Sequence, residues 1–89
     1  MLKPFGNRCI VQIQKEYLKD KGKPVLHEDG TPRYDLEQSG KVTSSNIEGI
    51  KKGMVVIADF RGGMPVRKEE TSKSVTVIFE ADEINAIEE

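Results

Sequence analysis

Few side chains in this sequence are suited to covalent or metal chemistry, and their spacing argues against most of it. Cys9 is the one cysteine and His27 the one histidine. A lone cysteine makes neither an intrachain disulfide nor a multi-cysteine zinc site. With apolar neighbours and no basic partner beyond Arg8, it is expected to be a small buried hydrophobe. His27-Glu28-Asp29 has metal-ligand residue types, but there is no second histidine and no calcium-loop spacing of acids, so a solvated turn is expected. Ser44-Ser45 lacks a glycine-flanked nucleophile elbow, and a single histidine in a charged segment gives a Ser–His pair little support. Arg61-Gly62-Gly63 lacks the lysine of a phosphate loop and reads as a turn. The chain is therefore expected not to be an enzyme and to hold neither metal nor cofactor.

What remains is recognition, and the segment that draws attention is 17–39. Lys19 to Lys23, His27 to Pro32 and Glu37 to Gly40 are turn formers and charges with short apolar islands between them, above all Pro24-Val25-Leu26. Loops longer than about 12 to 15 residues inside a small domain are usually functional or disordered. Within this one, Asp29-Gly30 is a candidate turn of a small hairpin, with Pro24 to Leu26 and Tyr34 to Leu36 as its flanks.

The elements around the loop read as strands. Residues 8–14 alternate, with Cys9, Val11 and Ile13 on one face and Arg8, Ile10, Gln12 and Gln14 on the other. Ile10 falls on the polar side, as a lone surface residue or as part of a contact between subunits. An extended segment restarts at Gly40 and breaks at Ser44-Ser45-Asn46. Met54-Val55-Val56-Ile57-Ala58, a continuous apolar run, is the best candidate for the central strand, and residues 74–79 form another. The C-terminal segment suits a short helical turn followed by a strand, although Ile84 and Ile87 also fit a helix. Short strands separated by turns predict an all-β chain, a small barrel.

Composition narrows the partners. Eighty-nine residues make a single domain, 1–89. A chain of this length buries only about 60 to 65% of its unfolded surface, so assembly would compensate for a thin core. No stretch approaches the roughly 20 apolar residues of a membrane helix, and the N-terminal residues lack a signal-peptide run, so a cytoplasmic location and no membrane partner are expected. Fourteen basic and fifteen acidic residues, intermixed, leave no basic footprint for nucleic acid.

Three stretches, in order and spacing, resemble the GroES-like co-chaperonin family. Lys3-Pro4-Phe5-Gly6-Asn7-Arg8-Cys9-Ile10-Val11 is similar to its opening motif, with Asn7 in place of Asp. Ile50-Lys51-Lys52-Gly53-Met54-Val55-Val56-Ile57 is similar to its central motif, with Met54 for Asp and Ala58 where an aromatic is common. Val77-Ile78-Phe79 through Ile84-Asn85-Ala86-Ile87 is similar to its closing motif.

The resemblance implies a barrel-like β subunit, a ring of seven, and a mobile loop, here 17–39, that grips a GroEL-like group I chaperonin. The chaperonin binds and hydrolyses the ATP, and substrate protein is enclosed beneath the ring. By position the grip is Gly22, Pro24, Val25 and Leu26, with Pro24 replacing a β-branched residue, which fixes φ and removes a donor. The family's pairing of first strand with a neighbour's last segment places Phe5 and Ile10 against Ile84 and Ile87. The family's roof hairpin is reduced to a short turn over 43–49, as in phage-encoded members, whose location would be the host cytoplasm. Two other readings stand beside it: an adaptor barrel of a phage or larger complex that has lost chaperonin binding, and a barrel binding single-stranded nucleic acid. Scattered aromatics on a slightly acidic chain count against the latter.

Overall fold

The computed structural model describes residues 2–88; Met1 and Glu89, the ends of the expected domain, lie outside the described residues. Alternation and β-branched runs form eight strands: β1 (Arg8–Tyr17), β2 (Lys19–Asp20), β3 (Lys23–Pro24), β4 (Tyr34–Ser45), β5 (Val55–Ala58), β6 (Met64–Pro65), β7 (Ser74–Glu80) and β8 (Ile84–Glu88). Three 3₁₀ turns, at Phe60–Gly62, Arg67–Glu69 and Ala81–Glu83, join the later strands. Six strands make one antiparallel sheet in the order β6-β7-β1-β4-β5-β8, and β2 and β3 form a separate two-stranded ribbon. The chain is all-β, as its alternation predicts. No helix among the described residues is long and apolar enough to cross a membrane.

The centre of the sheet is β1 with β4, not the 54–58 run. That run pairs with Ser39 to Lys41 on one side and the short β8 on the other, one strand in from the edge. β1 is the longer alternating segment, and its length lets it pair with β7 over Arg8 to Gln14 and with β4 from Cys9 to Tyr17.

One core fills the concave side. Cys9, Val11 and Ile13 of β1 meet Val42, Val56 and Ala58 on one side and Val75, Val77 and Phe79 on the other. Ile47 and Ile50, from the β4–β5 connection, join the same cluster, so this strandless connection turns inward. Burying a ring such as Phe79, fully inaccessible here, contributes about 1.5 to 3 kcal/mol. Burial also raises the Cys9 thiol above its ordinary range, keeping it protonated and in the packing role expected of it.

Ile10 is not an outward residue. It is 2% exposed, flanked by Ser44 on β4 and Ile78 on β7, with the Arg8–Glu80 ion pair further along the same face. A central strand has a neighbour on each side, and their side chains cover its second face.

Two glycines mark close approaches. A Cβ on Gly40 would lie 2.8 Å from the Gln12 carbonyl oxygen and 2.9 Å from Ile13 Cγ1, and nearer still to Val11 Cγ1. A Cβ on Gly63 would meet Val77 and Phe79, so its absence lets the 60–65 segment lie on the core. Gly40→Ala should therefore destabilise the fold by about 1 to 3 kcal/mol through overpacking against backbone that cannot yield. Exposed Lys41→Ala next to it should stay within about 0.5 kcal/mol, both measured by urea denaturation.

Candidate functional site

Residues 17–39 are not a structureless loop. β1 extends to Tyr17 and β4 starts at Tyr34, so the two strands carry their pairing outward: Lys15 opposite Leu36, Glu16 opposite Asp35, Tyr17 opposite Tyr34. The extension beyond this outer ladder is 18–33, and it is hydrogen-bonded throughout. Leu18 N donates to the Arg33 carbonyl (3.0 Å), Val25 N to that of Leu18 (3.0 Å), and Arg33 N to that of Val25 (2.8 Å). From this three-residue junction two small hairpins branch.

The first is the β2–β3 ribbon, turned at Lys21-Gly22. Both residues have positive φ, 52° and 81°, as a two-residue hairpin turn requires, and glycine relieves the strain at the second position. The second closes around Glu28-Asp29-Gly30, where His27 N donates to the Thr31 carbonyl and Gly30 N to that of His27, with a single bridge between Leu26 and Pro32. Asp29-Gly30 therefore lies in a turn as the sequence suggests. The flanks differ: Leu26 and Pro32 face each other, while Tyr34 and Leu36 belong to the outer ladder because their long-range partners on β1 outcompete a local pairing.

The four residues expected to form the grip are spread along this extension. Gly22 is at the tip of the first hairpin, Pro24 pairs with Lys19, Val25 is half-buried at the junction, and Leu26 is 52% exposed at the start of the second hairpin. Of the expected subunit contacts, Phe5 is 87% exposed on an N-terminal arm held by Asn46, whose Nδ2 donates to the Pro4 carbonyl at 2.8 Å. Ile84 is half-buried against the core and Ile87 is 39% exposed on β8. β8 pairs with β5, and its other edge has no partner among the described residues. Ile10, enclosed within its own chain, does not join this group. β4 and β7 occupy both edges of β1 over Cys9 to Gln14, and the arm before Arg8 lies outside this pairing.

The residues suited to chemistry do not converge. Ser45 Oγ accepts from Ile47 N at 3.0 Å in a turn, and β4 places it roughly 35 Å from the His27 end, so no Ser–His pair forms. The one cluster of metal-type side chains among the described residues, Glu80, Asp82 and Glu83, excludes His27. It is explained by a capping box in which the Glu83 carboxylate accepts from Glu80 N at 2.8 Å. An open groove of about 890 Å³ beside the outer ladder is lined by the carboxylates Glu16, Asp35, Glu37 and Asp59, with Leu36 and Phe60 among its apolar residues and Ser39 and Arg61 on its wall.

One constellation escaped the sequence reading. Lys15, 6% exposed at its side chain, puts its ammonium 3.3 Å from a Glu70 carboxylate oxygen and 4.4 Å from the centre of the Tyr34 ring. Tyr34 meets Tyr17 edge-on at 5.7 Å, and the Tyr17 hydroxyl donates to the Ser72 carbonyl. Two tyrosines flanking the loop were the available signal; nothing local announces Glu70. No protein-family model matches the chain, and neither does any curated protein.

In the extension, the affinity of the Asp29 carboxylate for protons is lowered. Its oxygen accepts from the Thr31 hydroxyl (2.6 Å) and from Thr31 N (3.0 Å), which favour the charged form. Because the folded value is depressed, this contribution to the turn is present above the ordinary aspartate range and is lost as pH falls through the lowered folded value. An NMR titration should show the Thr31 amide shift moving with a midpoint below that of an unstructured aspartate, and Thr31→Val should move that midpoint back up.

Proposed function

We propose that this chain is a GroES-like co-chaperonin subunit, a lid without catalytic function that caps an ATP-hydrolysing group I chaperonin and encloses substrate protein. The observation that carries the reading is the extension 18–33. It projects from the far end of the two central strands and holds Leu26 half in solvent on a hydrogen-bonded frame, with Val25 beside it. What supports a partner here is that Leu26 and Val25 are adjacent and held on an ordered frame away from the chain's own core. Each such side chain is worth about 1.5 to 3 kcal/mol when buried in a groove, weak enough to release singly and strong when repeated around a ring.

The same reading gives the molecule's two ends their use. The arm with Phe5 and the unpaired edge of β8 with Ile87 are complementary parts for a head-to-tail contact, which closes into a ring when the rotation fits. In this arrangement the sheet, open between β6 and β8 within one chain, belongs to a barrel-like subunit. The inward β4–β5 connection, carrying Ile47 and Ile50, takes the place of a roof hairpin and leaves the dome wide. Nucleotide is bound by the chaperonin and not by this chain.

Sedimentation of the protein alone should give about 70 kDa, seven subunits of 10.0 kDa, and with a group I chaperonin plus nucleotide the ring should cosediment. Val25→Ser with Leu26→Ser should abolish cosedimentation and leave the ring mass unchanged. Phe5→Asp or Ile87→Asp should give monomers. A monomeric wild type that never cosediments would overturn the lid, and a ring that fails to bind would assign the chain to the adaptor class.

A further inference from the structure

The outer ladder is only loosely part of the main sheet. Between Ile13 and Lys15 the β1–β4 register breaks: Ile13 faces Gly40, and the next pair is Lys15 with Leu36, so Glu37, Gln38 and Ser39 face a single residue, Gln14. β7 ends its pairing at this point, with Gln14 opposite Ser74. Beyond the break, residues 15–17 and 34–36 have no third strand beside them, yet they carry the whole extension. A register irregularity of this kind bends a ladder and leaves it weakly held in angle.

What crosses the break is a set of contacts to the turn before β7. The Lys15 ammonium reaches Glu70 and sits over Tyr34, Tyr17 donates to the Ser72 carbonyl, and Lys15 N donates to the Lys73 carbonyl at 2.8 Å. The receiving turn is itself braced. Thr71 Oγ1 accepts from Lys73 N and Ser74 N, and Thr71 N donates to the Ser74 carbonyl. Ser74 is 2% exposed and tied by its hydroxyl to Gln12 Nε2 at 3.0 Å, inside the main sheet. The line Gln12–Ser74–Thr71 on one side and Lys15–Glu70, Tyr17–Ser72 on the other brackets the break.

We propose that Lys15, Tyr17, Tyr34 and Glu70 form a latch that fixes the angle of the outer ladder against the sheet. When it is released, the extension swings as a unit about Gln14 and Glu37-Gln38, the residues between the outer ladder and Ser39, which β5 holds opposite Ile57. The hinge keeps its own hydrogen bonds on either side, so the motion is rotation of an ordered arm rather than melting of a loop. The latch is independent of what the arm binds: it concerns this chain alone, and losing the chaperonin reading would leave it standing.

The test places spin labels at Glu28→Cys and Lys52→Cys, both exposed positions, in a Cys9→Ala background, with labelled chain diluted in unlabelled chain. With the latch intact, pulsed electron resonance should return one narrow distance distribution. Glu70→Gln combined with Tyr17→Phe should broaden it at least about twofold, while Glu69→Gln, one residue away, should leave it narrow. Hydrogen exchange at Val11 and Val42 should not change. An unchanged width in the double variant overturns the latch, and so does broadening accompanied by faster exchange at Val11 and Val42, which would be general loosening of the fold.

Discussion

Everything in this chain depends on β1 being paired on both sides over most of its length, with β7 from Arg8 to Gln14 and with β4 from Cys9 onward. A strand paired on both sides satisfies its backbone groups within the sheet and brings two neighbours to cover both of its faces. On the concave face Cys9, Val11 and Ile13 supply the middle of the core; on the other, Ile10 closes down between Ser44 and Ile78. The flanking strands then curl around that axis far enough for Val56 and Val77, on opposite sides of β1, to join one cluster. The edges are left to β6, two residues long, and to β8, whose Ile84 packs half-buried against the core while Ile87 is exposed.

The same strand also transmits position. Its inner half belongs to the sheet and its outer half to the projecting arm, so one continuous backbone links the packed region to the part held out in solvent. The Cα radius of gyration, 14.2 Å, exceeds the roughly 12 Å of a compact chain of this length, and the long dimension of 44 Å against 27 and 20 Å shows where the excess lies. Order in the arm comes from backbone bonds at Leu18, Val25 and Arg33 rather than from a core of its own.

Much of this was legible in the residues, for reasons that separate what could be read from what could not. Alternation at Arg8 to Gln14, the β-branched run at 74–79 and the turn before the terminal strand depend on local pattern, and local pattern survives folding. The burial of Ile10 depends on which strands arrive on either side of β1, and the demotion of the 54–58 run depends on the short β8 being its outer neighbour; neither is encoded in the segment itself. The internal order of 18–33 was masked by composition, since glycine, proline and charges mark turns whether or not the turns are bonded to one another. At the candidate site, Leu26 was readable as part of an apolar island among charges and turn formers, whereas Phe5 was singled out only by the family resemblance. Lys15 was not, because its partner Glu70 lies 55 residues further along the chain.

The pairing of β1 with β7 also has a temporal side. Arg8 meets Glu80 across 72 residues, so one edge of the central strand waits for nearly the whole chain to be synthesised, whereas the β4 edge is supplied much sooner. Contacts this distant in sequence form late, after the cost of closing a long loop. Until then the nascent chain presents an apolar strand with one open edge, the kind of template that recruits other strands. If this chain acts in assisting other proteins to fold, its own birth passes through the same hazard.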